Sequence, residues 1–427
     1  MLKIINIKIN LVEKVLLVTL LLALFFTGIL PQEILSVIII FISIIFLYLN
    51  KPQFIFPVML FYYSQLGLLF GISVFRIFTI LFVLFLIINN WKRLKFDKVY
   101  LSIIIVYGLY CLLSLGVHDF QLGIFALFDV LCLLLFVNNY LYDFKKIKEF
   151  FLQFVLVSIV AVFTGLITNN FLDTQMVEIR ETITYLRFMS TFDDPNYMGF
   201  FYTIAVFAVV CLKLFKGVTK YIILVFLYAA IITSLSVTAI IGNLVCWVLD
   251  LVLKSKLKLK TTIGILSIII FCFIIIFLGV NFDVPFLSQL LTRIKYKLLN
   301  LNAGDIDGFT TYRTSLSELH FNYFLNQNLF KQLFGGNLVN ALIIDLPLLQ
   351  NSAAHNEYID LLLNVGIIGT ICLVTFQFTK LFHHFKKYRE TKDDGQLFLV
   401  IVKCIWLFYA ASLTLFLDVR FIIFFLM

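Results

Sequence analysis

The tetrapeptide His355-Asn356-Glu357-Tyr358 closes the one long polar stretch of an otherwise apolar chain and stands directly before the apolar run 359–378. The chain has only five histidines in 427 residues. A polar His-Asn pair at the mouth of an apolar helix is poorly explained by packing. The positive end of a helix dipole disfavours imidazolium, and a neutral imidazole can accept the proton of a hydroxyl or orient it. The bland alternative is a histidine that merely caps the helix. Arginine is the second chemical resource: Arg180, Arg187 and Arg313 lie in the other polar segments. Guanidinium is a planar donor fork that matches phosphate oxygens and keeps its charge when desolvated.

The elements that must hold these groups are membrane elements. Hydrophobic residues make up 62% of the chain and charged residues 13%, and the mean hydropathy is +1.05. A soluble domain runs near 45–50% apolar and about 25% charged. A spanning helix needs roughly 20 apolar residues, and only helices or closed barrels satisfy their backbone in lipid. The apolar runs here are continuous rather than alternating, which selects helices. Thirteen spans are expected, at 15–30, 33–50, 54–72, 74–90, 99–117, 120–139, 149–171, 196–214, 220–236, 238–253, 262–280, 357–380 and 396–417. The fold class is all-α, a polytopic bundle of about 12–14 transmembrane helices with one long external loop. Its expected parts are an N-terminal bundle (1–171), a central region (172–380) with external loops 172–195 and 281–356, and a last loop and span (381–427). The tail 418–427 is apolar but too short to cross.

Lysines set the orientation through the positive-inside bias. Lys3, Lys8 and Lys14 precede the first span. Alternate connections carry Lys51, then Lys92, Lys95 and Lys98, then Lys145, Lys146 and Lys148. They continue with Lys213, Lys216 and Lys220, then Lys254, Lys256, Lys258 and Lys260, and finally the stretch holding Lys380 and Lys392. All fall on one side, so the N-terminus is expected in the cytoplasm. The net charge of +9 is then topological, not a nucleic-acid footprint. No cleavable signal peptide is evident. The seven cysteines lie within spans and show no C-x-x-C spacing, which argues against a disulfide frame or a thiolate metal site.

Arginine is distributed differently. Of eight, Arg76, Arg180, Arg187, Arg293, Arg313 and Arg420 are expected outside, against three external lysines, Lys295, Lys297 and Lys331. Topology alone would deplete both types there. The set favours an anionic ligand such as a lipid phosphate; pairing with external acids such as Asp193, Asp194, Asp305 and Glu318 is the alternative for any single arginine.

Two external segments carry the candidates. If the stretch before Phe188 is helical, the separation of seven puts Arg180 and Arg187 on one face. Asp194-Pro195-Asn196 suits a helix start, with Asp as N-cap and Pro in the first turn. The segment 281–355 is far longer than an ordinary loop and rich in Leu, Phe and Tyr. Residues 311–329 read as an amphipathic helix that Gly335-Gly336-Asn337 breaks. Asp129 and Lys403 lie inside spans, where charges are usually paired, and they are candidates to pair with each other. His383-His384 is expected in a solvated basic loop. His118 and His320 have no metal-ligand partner at helical spacing, and there is no H-x-x-x-H, glycine-rich nucleotide loop or G-x-S-x-G.

The order of these motifs resembles the O-antigen polymerase and O-antigen ligase superfamily of polytopic bacterial glycosyltransferases. Three matches carry the resemblance. Arg187 followed by Thr191-Phe192-Asp193-Asp194-Pro195-Asn196 is similar to the family's Arg, gap and Gly-x-Phe-x-x-Pro-Asn. Tyr312-Arg313 with Leu316, leading to Leu333-Phe334-Gly335-Gly336-Asn337, is similar to its arginine-bearing loop helix and glycine turn. His355-Asn356-x-Tyr358, with Val365-Gly366-Ile367-Ile368-Gly369 after it, is similar to its His-Asn signature and following helix. The shared region runs over about 185–370. Ser190 or Thr191 replaces the family glycine, and Ser234-Leu235-Ser236 lacks the arginine often found there.

The resemblance implies a GT-C-like, metal- and cofactor-independent glycosyl transfer on the outer face of the cytoplasmic membrane. The donor is a glycan on undecaprenyl diphosphate and the acceptor a sugar hydroxyl. Arg180, Arg187 and Arg313 would hold the diphosphate and its developing charge, and His355 would deprotonate or orient the hydroxyl. Asn196, Asn356, Glu357 and Tyr358 would line the substrate site. The leading expectation is a polymerase of lipid-linked repeat units for capsule, exopolysaccharide or O-antigen. The alternative is a ligase that moves finished glycan to another acceptor, such as a lipid A core or a cell-wall polymer. A transporter of the same lipid is less favoured, because no internal repeat is visible. The partners implied are the glycan lipids, the bilayer, and a flippase and chain-length regulators; nucleic acid is not among them.

Overall fold

The computed structural model describes residues 10–27, 29–69, 72–90, 103, 105–106, 108, 120–141, 143–167, 175–180, 183–254, 291–292, 295–297, 299–300, 302–305, 313–335, 355–413, 415 and 418–427. Helix dominates them. In chain order they form α1 (Leu11–Phe25), α2 (Gln32–Tyr48), α3 (Phe56–Phe61), β1 (Leu68–Leu69), β2 (Ile72–Ser73), α4 (Val74–Asn90), α5 (Phe120–Tyr140) and α6 (Phe144–Ile167). Then come β3 (Gln175–Arg180), β4 (Ile183–Phe188), α7 (Pro195–Cys211), α8 (Gly217–Thr233) and α9 (Val237–Lys254). The last elements are α10 (Arg313–Leu325), α11 (Leu329–Phe334), α12 (Glu357–Thr391), α13 (Asp394–Ala410) and α14 (Val419–Leu426). Of these helices α6, α9 and α12 are long and apolar enough to cross a membrane, while α2, α4, α7 and α8 are apolar but shorter. The exposed side chains agree with an apolar surround: α8 presents Val218, Ile222 and Val225 at 63–73% exposure along one face, a stripe that water would penalise.

Three expectations about elements are corrected. The run 54–72 is not one helix. Pro52 opens a single 3₁₀ turn and Pro57 the short α3. The chain then passes Gly67 at φ 61° into the β1–β2 hairpin. Proline supports a first turn but not an interior, so Pro57 starts a new helix inside the run. The stretch before Phe188 is a strand, not a helix, and pairs antiparallel with β3. Its β-branched and aromatic residues, Ile183, Thr184, Tyr185 and Phe188, favour that state. His383 and His384 lie on α12, which continues to Thr391, and not in a loop. The expected spans 99–117 and 262–280 fall almost wholly outside the described residues.

The chain divides into two compact units, one of residues 1–94, 139–291 and 392–401, the other of 95–138, 292–391 and 402–427. In the first, α6 packs against α1, α3 and α7. Phe61 is the aromatic hub, with ring centroids 4.8 Å from Phe154, 5.3 Å from Phe201 and 5.4 Å from Phe192. Such edge-to-face contacts add to the apolar burial. A polar tie closes one end. Asn10 and Glu13 form a reciprocal capping box on α1. Lys51 then reaches Glu13 at 3.6 Å and Glu149 at 3.2 Å, while Gln53 donates to Glu149 at 2.7 Å.

In the second unit, α10 and α11 pack against α12. Leu316, His320 and Phe324 form the buried stripe of α10, and Phe324 meets Leu363 of α12. The helix α12 breaks at Gly366, whose φ of 68° and ψ of −176° are non-helical. The tail forms α14. Lys403 lies here, and its ammonium donates to Phe424 O at 3.2 Å and to Phe425 O, between the rings of Phe376 and Phe425. It therefore caps the carbonyl end of α14 and is not the partner of Asp129. Gln377 donates to Phe425 O at 2.8 Å and His384 Nε2 lies 3.0 Å from Met427 O, so three side chains from two helices meet one helix end.

Candidate functional site

The first cluster belongs to the first unit and centres on Arg187. Its position follows from the hairpin and the turn after it. Arg187 is the penultimate residue of β4, paired with Met176. The chain then turns through Ser190 at φ 58°. Thr191 donates to Phe61 O at 2.7 Å, and Phe192 enters the aromatic hub. Phe188 fits beside the main chain of α6 because residue 165 is glycine, where a Cβ would stand 2.8 Å from the phenyl ring. Asp194 then caps α7, its carboxylate accepting from Asn196 N at 2.5 Å, with Pro195 in the first turn. The Asp-Pro-Asn start expected from the sequence is present.

Arg187 is 4% exposed. Its Nε donates to Ser234 O at 3.1 Å and its Nη2 to Asn196 Oδ1 at 3.2 Å. Asn196 Oδ1 also accepts from Ser236 Oγ at 2.8 Å. Ser236 in turn accepts from Ala239 N at 3.2 Å, which makes it the cap of α9. The guanidinium is thus fixed between the carbonyl end of α8, which Ser234 caps, and the start of α7. Close approach of these helices is allowed by Gly199, since a Cβ there would stand 2.5 Å from Ala239 Cβ. Asn243 donates to Thr203 at 2.6 Å across the same pair. The positive charge sits against the carbonyl end of α8 and beside the N-termini of α7 and α9, which it joins.

Ser234 and Ser236 were absent from the sequence-predicted site. The signal was a Ser-x-Ser directly before an apolar run, the pattern of a helix cap. Leu235 between them holds φ 51°, an unusual conformation for a branched side chain, and it turns the Ser234 carbonyl toward Arg187. Arg180 pairs with Ile183 at the other end of the hairpin ladder, four residues along β4, or about 13 Å. Its side chain lies outside the described residues.

The second cluster belongs to the second unit. His355 precedes α12 at φ 51° and is half-buried. The cap is Asn356, whose Oδ1 accepts from Tyr358 N at 3.1 Å, so His355 is not the capping residue. Glu357 is fully buried, and its carboxylate accepts from Leu415 N. Tyr358 donates its hydroxyl to Leu407 O at 3.2 Å. Arg313 opens α10 and donates to Ser412 O at 2.8 Å. Three of the predicted residues, Arg313, Glu357 and Tyr358, therefore bond the main chain of Ser412, Leu415 and Leu407. Arg420, by contrast, is bonded to Asp418 through Nε at 2.9 Å and Nη2 at 2.5 Å, which accounts for that arginine without a ligand. Arg293 lies outside the described residues. Among those residues no group of three His, Cys, Asp or Glu side chains is placed to hold a metal.

The chain matches no protein-family model, and a search of curated proteins returns no match.

Proposed function

We propose that this protein is a polytopic membrane glycosyltransferase that joins lipid-linked oligosaccharide repeat units into a polysaccharide outside the cytoplasmic membrane. The observation that carries this reading is the buried guanidinium of Arg187, held by Ser234 O at the end of α8 and Asn196 at the start of α7. A diphosphate leaving group needs charge stabilisation that is already in place when its bond to the sugar breaks. Arg187 is fixed in place for that role, and Arg180 and Arg313 are candidates for it on sequence grounds. His355, presented in a left-handed turn ahead of a capped helix, accepts the proton of the attacking sugar hydroxyl or orients it. Glu357 and Tyr358 bond the main chain of Leu415 and Leu407, and Asn356 caps the helix. The hydroxyl oxygen bonds to the anomeric carbon as the carbon–phosphate-oxygen bond breaks, and the diphosphate leaves with the electron pair. The motif resemblance supplies the donor class, undecaprenyl diphosphate, and the expected setting in a bacterial envelope.

The test is the length of glycan carried on the polyprenyl diphosphate in cells lacking this protein, rescued with wild type or His355→Ala. Single repeats that accumulate, and are elongated only by wild type, support the polymerase. Long chains accumulating on the lipid identify a ligase, and an unchanged lipid-linked pool sinks both.

A further inference from the structure

We infer that the elbow formed by the end of α10 and by α11 is an interfacial anchor, sunk into the head-group and acyl boundary of the leaflet nearest the start of α12. The inference needs the membrane setting of α12 and does not depend on the glycosyltransferase reading. Phe321, Leu325, Leu329, Phe330 and Phe334 are 36–70% exposed. Phe321 and Leu325 stand one helical turn apart on α10. On α11, Leu329, Phe330 and Phe334 share one side, with Lys331 and Gln332 on the other. The rings of Phe330 and Phe334 lie together, centroids 5.1 Å apart. Large apolar side chains gathered in this way, with no charge among them, form a surface that water penalises.

The elbow is held in shape, so its apolar side is displayed by design of the fold. Gln332 Nε2 donates to Leu325 O at 2.8 Å and to Gln327 O at 3.0 Å, which ties α11 to the carbonyl end of α10. Asn328 caps α11, its Oδ1 accepting from Lys331 N at 2.9 Å. Phe324 packs on Leu363 of α12, and Gly335 ends α11 against the backbone of Asn364 and Val365. The apolar run of α12 begins at Ile359. Helical rise puts Asn364 and Val365 about 8–9 Å farther along it. An interfacial helix buries its apolar side to about 5–10 Å, and α11 meets α12 at that depth. α12 is long and apolar enough to cross a membrane. Its own exposed stripe, Ile368, Ile371, Phe378 and Phe382, starts just past the contact. The uncovered side chains of α11 therefore stand at the level where α12 first presents apolar surface, and lipid acyl chains are the occupant that serves both. Lys331, on the polar side of α11, suits the phosphate level above them.

The test introduces an indole by Phe330→Trp, an aromatic exchange at an exposed position. The full-length protein is placed in phosphatidylcholine liposomes whose acyl chains carry bromine either near the carboxyl end or near the methyl end. Emission of the wild type, with its three native tryptophans, is subtracted. The anchor predicts that bromine near the carboxyl end quenches the added emission roughly twofold or more strongly than bromine near the methyl end, as a shallow interfacial position requires. Acrylamide in the water should have little effect. Phe378→Trp reports on the membrane setting of α12 separately, and bromine must quench it too. Quenching by bromine at position 378 together with quenching by acrylamide alone at position 330 would overturn the anchor and leave α12 in the membrane. Protection of position 330 from both quenchers would mean that protein covers this side of α11, a second copy included, and would also overturn it. If bromine reaches neither position, the membrane setting of α12 fails and the anchor fails with it.

Discussion

Gly335 and Gly366 meet backbone to backbone. A Cβ on Gly335 would strike the Asn364 carbonyl oxygen, and one on Gly366 would strike the Leu333 carbonyl. Both have extended ψ at positive φ: 79° and −161° for Gly335, 68° and −176° for Gly366. That region is essentially closed to other residues. The contact lets α11 end against the break in α12, and α12 is the helix that His355 precedes. Alanine at either position adds backbone strain and overpacking together, for a loss of about 2–5 kcal/mol. Thermal unfolding of the purified variants checks this. A midpoint within error of wild type for both would mean the contact does not matter to the fold.

Arg187 uses its guanidinium as a fork, one arm on Ser234 O and the other on Asn196 Oδ1. An ammonium cannot hold both at that spacing. Arg187→Lys is therefore expected to lose at least roughly tenfold in turnover, and Arg187→Ala on the order of 100-fold, the usual range for removing one preorganised charge-stabilising donor. Turnover of extracted lipid-linked glycan is the measurement. A lysine variant as active as wild type would show that positive charge suffices and the fork is not used.

Ser236 tests the support of that fork separately. Its hydroxyl donates to Asn196 Oδ1 and accepts from Ala239 N. Ser236→Ala removes both bonds and the cap of α9, with an expected destabilisation of about 1–2 kcal/mol. The effect on turnover should be smaller than that of Arg187→Ala. Chemical denaturation and the same turnover assay give the two numbers, and a greater loss of turnover than in Arg187→Ala would reverse the assigned roles.

His355 separates stability from activity. It occupies a left-handed conformation that disfavours any side chain and suits glycine. His355→Gly relieves that strain and gains unfolded-state freedom, so stability is expected to stay within about 1 kcal/mol of wild type. Chain elongation is expected to vanish. A stable, fully active glycine variant would remove His355 from the chemistry.

Lys403 is fully buried and bonds two carbonyls at the end of α14. Lys403→Met fills the space but leaves those carbonyls short of a donor, with Gln377 still bonded to one of them. The expected loss is about 1–3 kcal/mol, concentrated in 419–427. Hydrogen exchange resolved by segment reads it directly: faster exchange in α14 than elsewhere supports the capping role, and uniform change across the protein argues against it.

Composition and periodicity were enough to mark the chain as helical and membrane-like, because continuous apolar runs have few other physical outcomes. They also placed the cap at Asp194-Pro195 and the glycine turn after 334, since caps and breakers act locally; the helix expected over 311–329 ends at Leu325, and Asn328 caps a second one. They missed wherever a local pattern had two outcomes. The 54–72 run is as apolar as a span, yet Pro57 and the positive-φ Gly67 divide it. The segment before Phe188 has arginines at helical spacing but β-branched and aromatic residues between them, and pairing with β3 decided its state. Tertiary structure alone turned the Ser234 carbonyl onto Arg187, sent Lys403 to the end of α14 rather than to Asp129, and buried His320 with its Nδ1 on the Leu316 carbonyl. Each of these is a contact between residues distant in sequence or a matter of side-chain direction, and neither is written in spacing along the chain.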